Sequence, residues 1–182
     1  MAAIGRDDPR KRKRYVSIDV GTRNLGVVEL YFNSEEARIV VTSADVLDIR
    51  DDTHAKLHAI LSSRTEPSRE MTVVVESQPV IGNACVVRAN SLVEGAILMY
   101  CMTRAMKAIT VRPVDVKRFF RTIATGNYRR NKQSAMELVE TISHEGFPPE
   151  CCNEHICDAI LNAMYAIGMQ HGNLIPTLSF SL

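Results

Sequence analysis

Apolar and polar positions alternate at residues 15–20. Val16, Ile18 and Val20 fall on one side of an extended chain, and Tyr15, Ser17 and Asp19 on the other, which predicts a strand. Gly21-Thr22-Arg23-Asn24 reads as a turn into a second strand near 25–32. Asn33-Ser34-Glu35-Glu36 turns into a third near 38–42, completing an antiparallel meander. Asp51 or Asp52 could cap a helix that buries Leu57, Ile60 and Leu61. The run MTVVVE at 71–76 predicts an apolar strand. Ser91 with Glu94 forms a capping-box pattern ahead of a helix to about residue 107. That helix is apolar nearly all round, as suits a core helix or an interface helix. A short strand at 109–112 precedes a helix opened by Pro113 and running through Phe120. A further helix at 131–144 would turn Met136, Val139 and Ile142 inward. After Pro148-Pro149, a last helix at about 153–169 would line up Ile156, Ile160, Ala163 and Ile167.

Antiparallel strands followed by βαβ crossovers predict a single α/β domain over residues 15–172, with a mixed five-stranded sheet flanked by helices. Residues 1–14 read as a disordered basic arm and 173–182 as a loose tail. A length of 182 residues, 46% hydrophobic and 24% charged, suits one globular domain and excludes collagen-like, low-complexity and disordered chains. No apolar run reaches the roughly 18 residues of a membrane span, so no membrane partner is expected. The N-terminal stretch MAAIGRDDPRKRKR lacks the apolar segment of a secretory signal. Five cysteines without framework spacing then read as reduced thiols of an intracellular protein.

The formal net charge of +1 hides a segregation. Residues 10–14 carry five basic side chains, and residues 116–136 carry six (Lys117, Arg118, Arg121, Arg129, Arg130 and Lys132), with no acid in either stretch. The rest of the chain holds 11 basic against 21 acidic residues. Such a chain can present a cationic face to a polyphosphate, of which nucleic acid is the commonest; a flexible tail and a solvated loop would give the same count.

The isolated acids inform most. Asp19 interrupts the first strand, Glu76 ends MTVVVE, and Asp158 lies on the last helix within HICDAILNA. Acids are poor strand residues and are almost never buried without a partner. A divalent cation held by converging carboxylates would compensate them. His155 stands three residues before Asp158, and Glu154 four before, on the same side of the helix. Asp19, Glu76, His155 and Asp158 could together hold two Mg²⁺ or Mn²⁺ ions for hydrolysis of a phosphodiester, and the imidazole would favour Mn²⁺. Singly, Asp19 could cap the turn at Gly21, Glu76 could be an ion-paired strand end, and His155 a helix-surface histidine.

Three segments, SIDVGTRNLGVVEL, VVVESQP and CDAILNAMYAIG, resemble the RuvC-like branch of the RNase H-like nucleases. The basic segment VRPVDVKRFFRTIATGNYRRNKQSAMELV is most similar to the Holliday junction resolvases of poxviruses and their iridovirus relatives. The likeness runs over about residues 15–170. It implies an RNase H-like fold and a metal-dependent endodeoxyribonuclease. It places the family's strand acids on Asp19 and Glu76, its last helix acid on Asp158, and its catalytic lysine on Lys117. His155 stands where the family usually has a further Asp, as in some bacterial RuvC relatives, with Glu154 in reserve. The resemblance also implies a homodimer that nicks a four-way DNA junction symmetrically, leaving 5′-phosphate and 3′-hydroxyl ends, with no small-molecule cofactor. A viral protein of this kind would work at a cytoplasmic replication site or in the host nucleus. Residues 92–107 are then candidates for the dimer face, with core packing as the other reading. Arg118, Arg121, Arg129, Arg130 and Lys132 are candidates for the DNA backbone. Tyr128 could meet an exposed base or pack. Residues 77–90 are candidates for a junction-probing loop carrying Gln78, Asn83, Arg88 and Asn90.

Other readings are a basic DNA-binding module whose acids are merely structural, and a nuclease of the same fold acting on RNA–DNA hybrids. Asp-x-Gly-Thr also occurs in sugar kinases and actin-like ATPases, but those need two such domains, and the chain is too short. Cys151, Cys152, His155 and Cys157 lack the paired spacing of a zinc site. His54 and His58 lack the glutamate of a zincin helix. The run at residues 10–14 could be a nuclear-import signal or a DNA-contacting arm.

Overall fold

The computed structural model describes residues 12–21, 23–50, 53–64, 71–78, 83–122, 128–143, 147–172 and 174–181. Strands β1 (Arg12–Val20), β2 (Asn24–Asn33) and β3 (Arg38–Asp48) form the expected meander. Helix α1 (Thr53–Arg64) leads to β4 (Met71–Glu76), and α2 (Ala84–Thr103) to β5 (Lys107–Val111). Then come α3 (Pro113–Phe119), α4 (Tyr128–Ile142), α5 (Glu154–Gln170) and β6 (Thr177–Phe180). The sheet order is β5-β4-β1-β2-β3-β6. β4 lies parallel to both β1 and β5, and β6 lies parallel to β3.

Alternation along the strands divides the interior into two layers. On one face Val16, Ile18, Val20, Val73 and Val75 pack with Leu57 and Leu61 of α1 and Val93, Ile97 and Cys101 of α2. On the other, Tyr15, Val28, Leu30, Phe32 and Val74 pack against α5, whose Ile156, Ile160, Met164 and Ile167 are buried. A buried aliphatic side chain of this kind contributes roughly 1.5–3 kcal/mol. α5 is therefore the central helix of its layer, with α3 and α4 beside it, and its first turns are held over the ends of β1 and β2.

The five expected strands are present, and a sixth joins them. Within the stretch expected to be a loose tail, 177–180 pair with Arg38–Val41 at the β3 edge, burying Leu178 and Ser179. β1 begins at Arg12, so three residues of the expected basic arm belong to the sheet. α2 begins eight residues earlier than the capping-box pattern suggested. Asn83 caps it, its side chain accepting from the backbone N–H of Cys85 and Val86. Half of the expected loop at 77–90, residues 84–90, is thus the first two turns of this helix. By length and composition α2 could cross a bilayer, contrary to the expectation that no run was long enough. Its Val93, Ile97 and Cys101 are buried in the domain, while Val86, Leu92, Met99 and Met102 are exposed. Asp51 and Asp52, offered as helix caps, and residues 1–11 lie outside the described residues.

Candidate active site

β1 pairs with β4 from Arg14↔Met71 to Ile18↔Val75. The next residue on each strand is the acid, Asp19 or Glu76. Parallel neighbours in register bring the two side chains together on the α5 face, at the carboxyl ends of the strands where α/β sheets place their sites. Asp19 is buried, 5% exposed. α5 comes in above it because β2 has a glycine there. Gly26 is the cross-strand partner of Asp19, and a Cβ on it would lie 2.1 Å from the His155 carbonyl oxygen. Asn153 caps the helix and accepts from the His155 N–H at 2.9 Å, fixing its first turn.

From that turn His155 Nδ1 reaches Asp19 Oδ2 at 2.8 Å. One turn on, Asp158 pairs with Lys132 of α4. Four residues further, Asn162 donates from Nδ2 to Glu76 Oε2 at 3.2 Å. Asp19, Glu76, His155 and Asp158, scattered through the sequence, are thus brought near one another. A cavity of about 210 Å³ opens beside Glu76 and Asp158, with Lys117, Lys132, Asn131 and Asn162 as its polar wall and Val116, Phe120 and Leu161 as its apolar one.

The electrostatics are those of crowded acids. Glu76 is held well above the usual carboxylate range, first by burial, then by the charge of Asp19 and a hydrogen bond with it, then by Asp158; Asn162 opposes. Asp158 is raised by burial and by Asp19, against the pull of Lys132 and Lys117. The His155 pKa is raised chiefly by its hydrogen bond to Asp19 and opposed by burial.

Among the described residues no three His, Cys, Asp or Glu side chains already close around one point as a ligand cage. Their donors are engaged with His155, Lys132, Asn162 and one another. The donor set nevertheless fits a hard divalent cation. Glu76 and Asp158 face the cavity, Asp19 acts on the charge of both, and each ionised acid raises the cost of ionising the next, which a cation there would relieve.

Of the residues expected to meet DNA, Arg118 in α3, Arg121 just after it, and Arg129 and Arg130 at the start of α4 are exposed, and Arg88 is exposed on α2. Arg118 lies 3.7 Å from Asp115. Gln78 points inward instead of outward: its side chain lies between the ends of β1 and β4 and is held by Asn90. Residues 123–127 and the Tyr128 side chain lie outside what the structure describes. Cys151 and Cys157 are buried packing residues, with Cys157 Sγ directed at the Cys151 carbonyl, while Cys152 is exposed. Asn162 and Gly26 were missed from sequence. A lone Asn in the apolar run DAILNAM was the available signal for the first, but a glycine inside a strand names no partner.

No protein-family model matches the chain, and no curated protein matches it in sequence. Solved structures match it in fold. Thermus thermophilus RuvC in complex with Holliday junction substrate is 18% identical, with a TM-score of 0.62, over 90% of this chain and 99% of that one. The fowlpox virus resolvase in complex with substrate Holliday junction DNA is 17% identical, with a TM-score of 0.59, over 87% and 95%. The yeast mitochondrial Holliday junction resolvase is 12% identical, with a TM-score of 0.58, over 88% and 82%. The fold is therefore RNase H-like, in the arrangement of the RuvC-like proteins, with a mixed six-stranded sheet.

Proposed function

We propose that this protein is a divalent-metal-dependent endodeoxyribonuclease that resolves four-way DNA junctions. One observation carries the reading: Glu76 of β4 and Asp158 of α5 line a partly closed pocket beside two lysines, and Asp19 of β1, hydrogen-bonded to His155, lies close enough to both acids to act on their charge. Acids kept only for structure would be expected to meet cations or several donors. Glu76 instead meets Asn162 and two further acids.

In this reading Asp19, Glu76, Asp158 and His155 hold Mg²⁺ or Mn²⁺. Bound there, such ions supply charge neutralisation at the phosphodiester and a water acidic enough to attack it. The rest is the work of the chain. Lys117, across the cavity from Glu76, donates to a non-bridging phosphate oxygen and stabilises the charge that develops on it. Lys132 shifts between Asp158 and the same phosphate. The apolar wall of Val116, Phe120 and Leu161 limits water on one side, which strengthens these interactions. Cleavage with the 3′ oxygen as leaving group gives 5′-phosphate and 3′-hydroxyl ends. Arg118, Arg121, Arg129 and Arg130 line the approach and neutralise backbone phosphates.

Symmetric nicking needs two such sites. The exposed apolar stripe of Leu92, Met99 and Met102 on α2 is the surface on which a second copy would dock, because a two-fold axis matches a substrate of near two-fold symmetry. The test is incubation with a synthetic four-way junction, a linear duplex and an RNA–DNA hybrid, with Mg²⁺, Mn²⁺ or EDTA. Paired nicks in the junction alone, abolished by EDTA and by Asp19→Asn while binding persists, are expected. Preferential cutting of the hybrid would make it a different nuclease of this fold. Junction binding without cutting in any metal would make it a binding module.

A further inference from the structure

β1 and β4 part company just past the residues that matter. Their ladder ends at Ile18↔Val75; beyond it β1 is paired with β2, through Asp19↔Gly26 and Val20↔Leu25, and β4 with β5, through Glu76↔Val111. Asp19 and Glu76 thus stand at the last rung of the β1–β4 ladder, and Val20 and Ser77 lie beyond it. Just past that end the side chain of Gln78 links the two strands. Its Nε2 donates to the carbonyl oxygens of both Val20 and Glu76, at 3.4 Å each.

α2 fixes this amide at its other end. Asn90 Nδ2 donates to Gln78 Oε1 at 2.8 Å, and Glu94 Oε2 accepts from the Gln78 backbone N–H at 3.0 Å. Asn90 and Glu94 are one helical turn apart on the same face of α2. Asn90 Oδ1 is buried with no hydrogen-bond partner among the described residues. A buried polar atom left unsatisfied is costly, so the Asn90 amide is oriented for Gln78 and not for its own solvation.

We propose that Gln78 is a positioning residue. It pins the ends of β1 and β4 at the separation at which Asp19 and Glu76 share a cation, and Asn90 and Glu94 hold the pin. The inference rests on the metal site of the proposed function, but not on the nucleic acid that site would cut. It also removes Gln78 from the DNA-contacting residues, since both ends of its amide are committed inside the protein.

The test is calorimetric titration of Mn²⁺ into the full-length protein without DNA, with junction affinity measured separately in EDTA. Gln78→Ala and Gln78→Glu should each weaken Mn²⁺ binding about tenfold, the usual scale for groups that orient ligands. Gln78→Glu preserves size and the acceptor for Asn90, and sets a charged acceptor in place of the donor to the two carbonyls. It therefore separates pinning from packing if Gln78→Ala unfolds. Asn90→Ala should weaken binding less, and the Gln78→Ala/Asn90→Ala double variant no more than Gln78→Ala alone. Junction affinity in EDTA should stay within about twofold. Unchanged Mn²⁺ affinity in both Gln78 variants, or a drop in junction affinity instead, overturns the proposal. Mn²⁺ binding that depends on Gln78 in a protein that cuts no junction upholds it and refutes the nuclease reading alone. A wild-type protein that binds no Mn²⁺ refutes both.

Discussion

At the scale of single residues, the site is a cluster of acids whose folded environment works against them. Glu76 shows the cost most plainly. Its carboxyl lies above its ordinary value of 4.5 because burial and two neighbouring acids disfavour the charge. A group whose pKa is raised on folding contributes stability that is full below its unfolded value and lost as pH rises through the folded one. Metal-free protein should therefore lose stability as pH climbs above about 4.5 toward neutrality. Glu76→Gln, which keeps an acceptor for Asn162, should flatten that fall and be more stable than wild type at neutral pH by about 1 kcal/mol, read from urea unfolding in EDTA. A variant less stable than wild type at neutral pH would mean that Glu76 is ionised and adequately paired. Asp19, Glu76 and Asp158 were legible in sequence because acids in apolar strands and on an apolar helix face break a pattern, and His155 was legible from its place three residues before Asp158. Asn162, Gly26 and the inward turn of Gln78 were not. Each acts through a partner distant in sequence, and an Asn, a Gly or a Gln outside its folded context announces none.

At the scale of elements, most strands and helices follow from local periodicity, and the exceptions have physical causes. β6 has four residues, TLSF, too few for alternation to register; it is a strand because the β3 edge offers a partner. α2 starts at Asn83 because that side chain satisfies two helix N–H groups. Glu94 of the apparent capping box is instead used by Gln78. α2 also leaves Leu92 and Met102 65% and 74% exposed. If that stripe meets a second copy, Leu92→Asp/Met102→Asp should turn a dimer into a monomer in sedimentation without lowering the urea midpoint of the monomer. Paired nicking should give way to single, uncoordinated nicks in the same variant. A wild type that is already monomeric at micromolar concentration would remove α2 as the dimer face.

At the scale of the molecule, near-neutral overall charge coexists with a stretch, 116–136, that carries six basic side chains and no acid. Arg129 and Arg130 stand exposed at the start of α4, the helix that also brings Lys132 to Asp158. Replacing Arg129 and Arg130 with Ala should weaken junction binding and reduce the slope of log affinity against log salt by roughly 1 for each phosphate no longer neutralised. An unchanged slope would take this helix off the DNA face. Both that face and the two-layer packing around α5 converge on one pocket, and the proposed activity depends on what the pocket binds. The most direct measurement is anomalous diffraction from a crystal soaked in Mn²⁺. Mn²⁺ peaks bound by Asp19, Glu76 and Asp158, with Lys132 moved off Asp158, are the expected result; a pocket with no peak, or Mn²⁺ bound only elsewhere on the surface, would contradict the metal site.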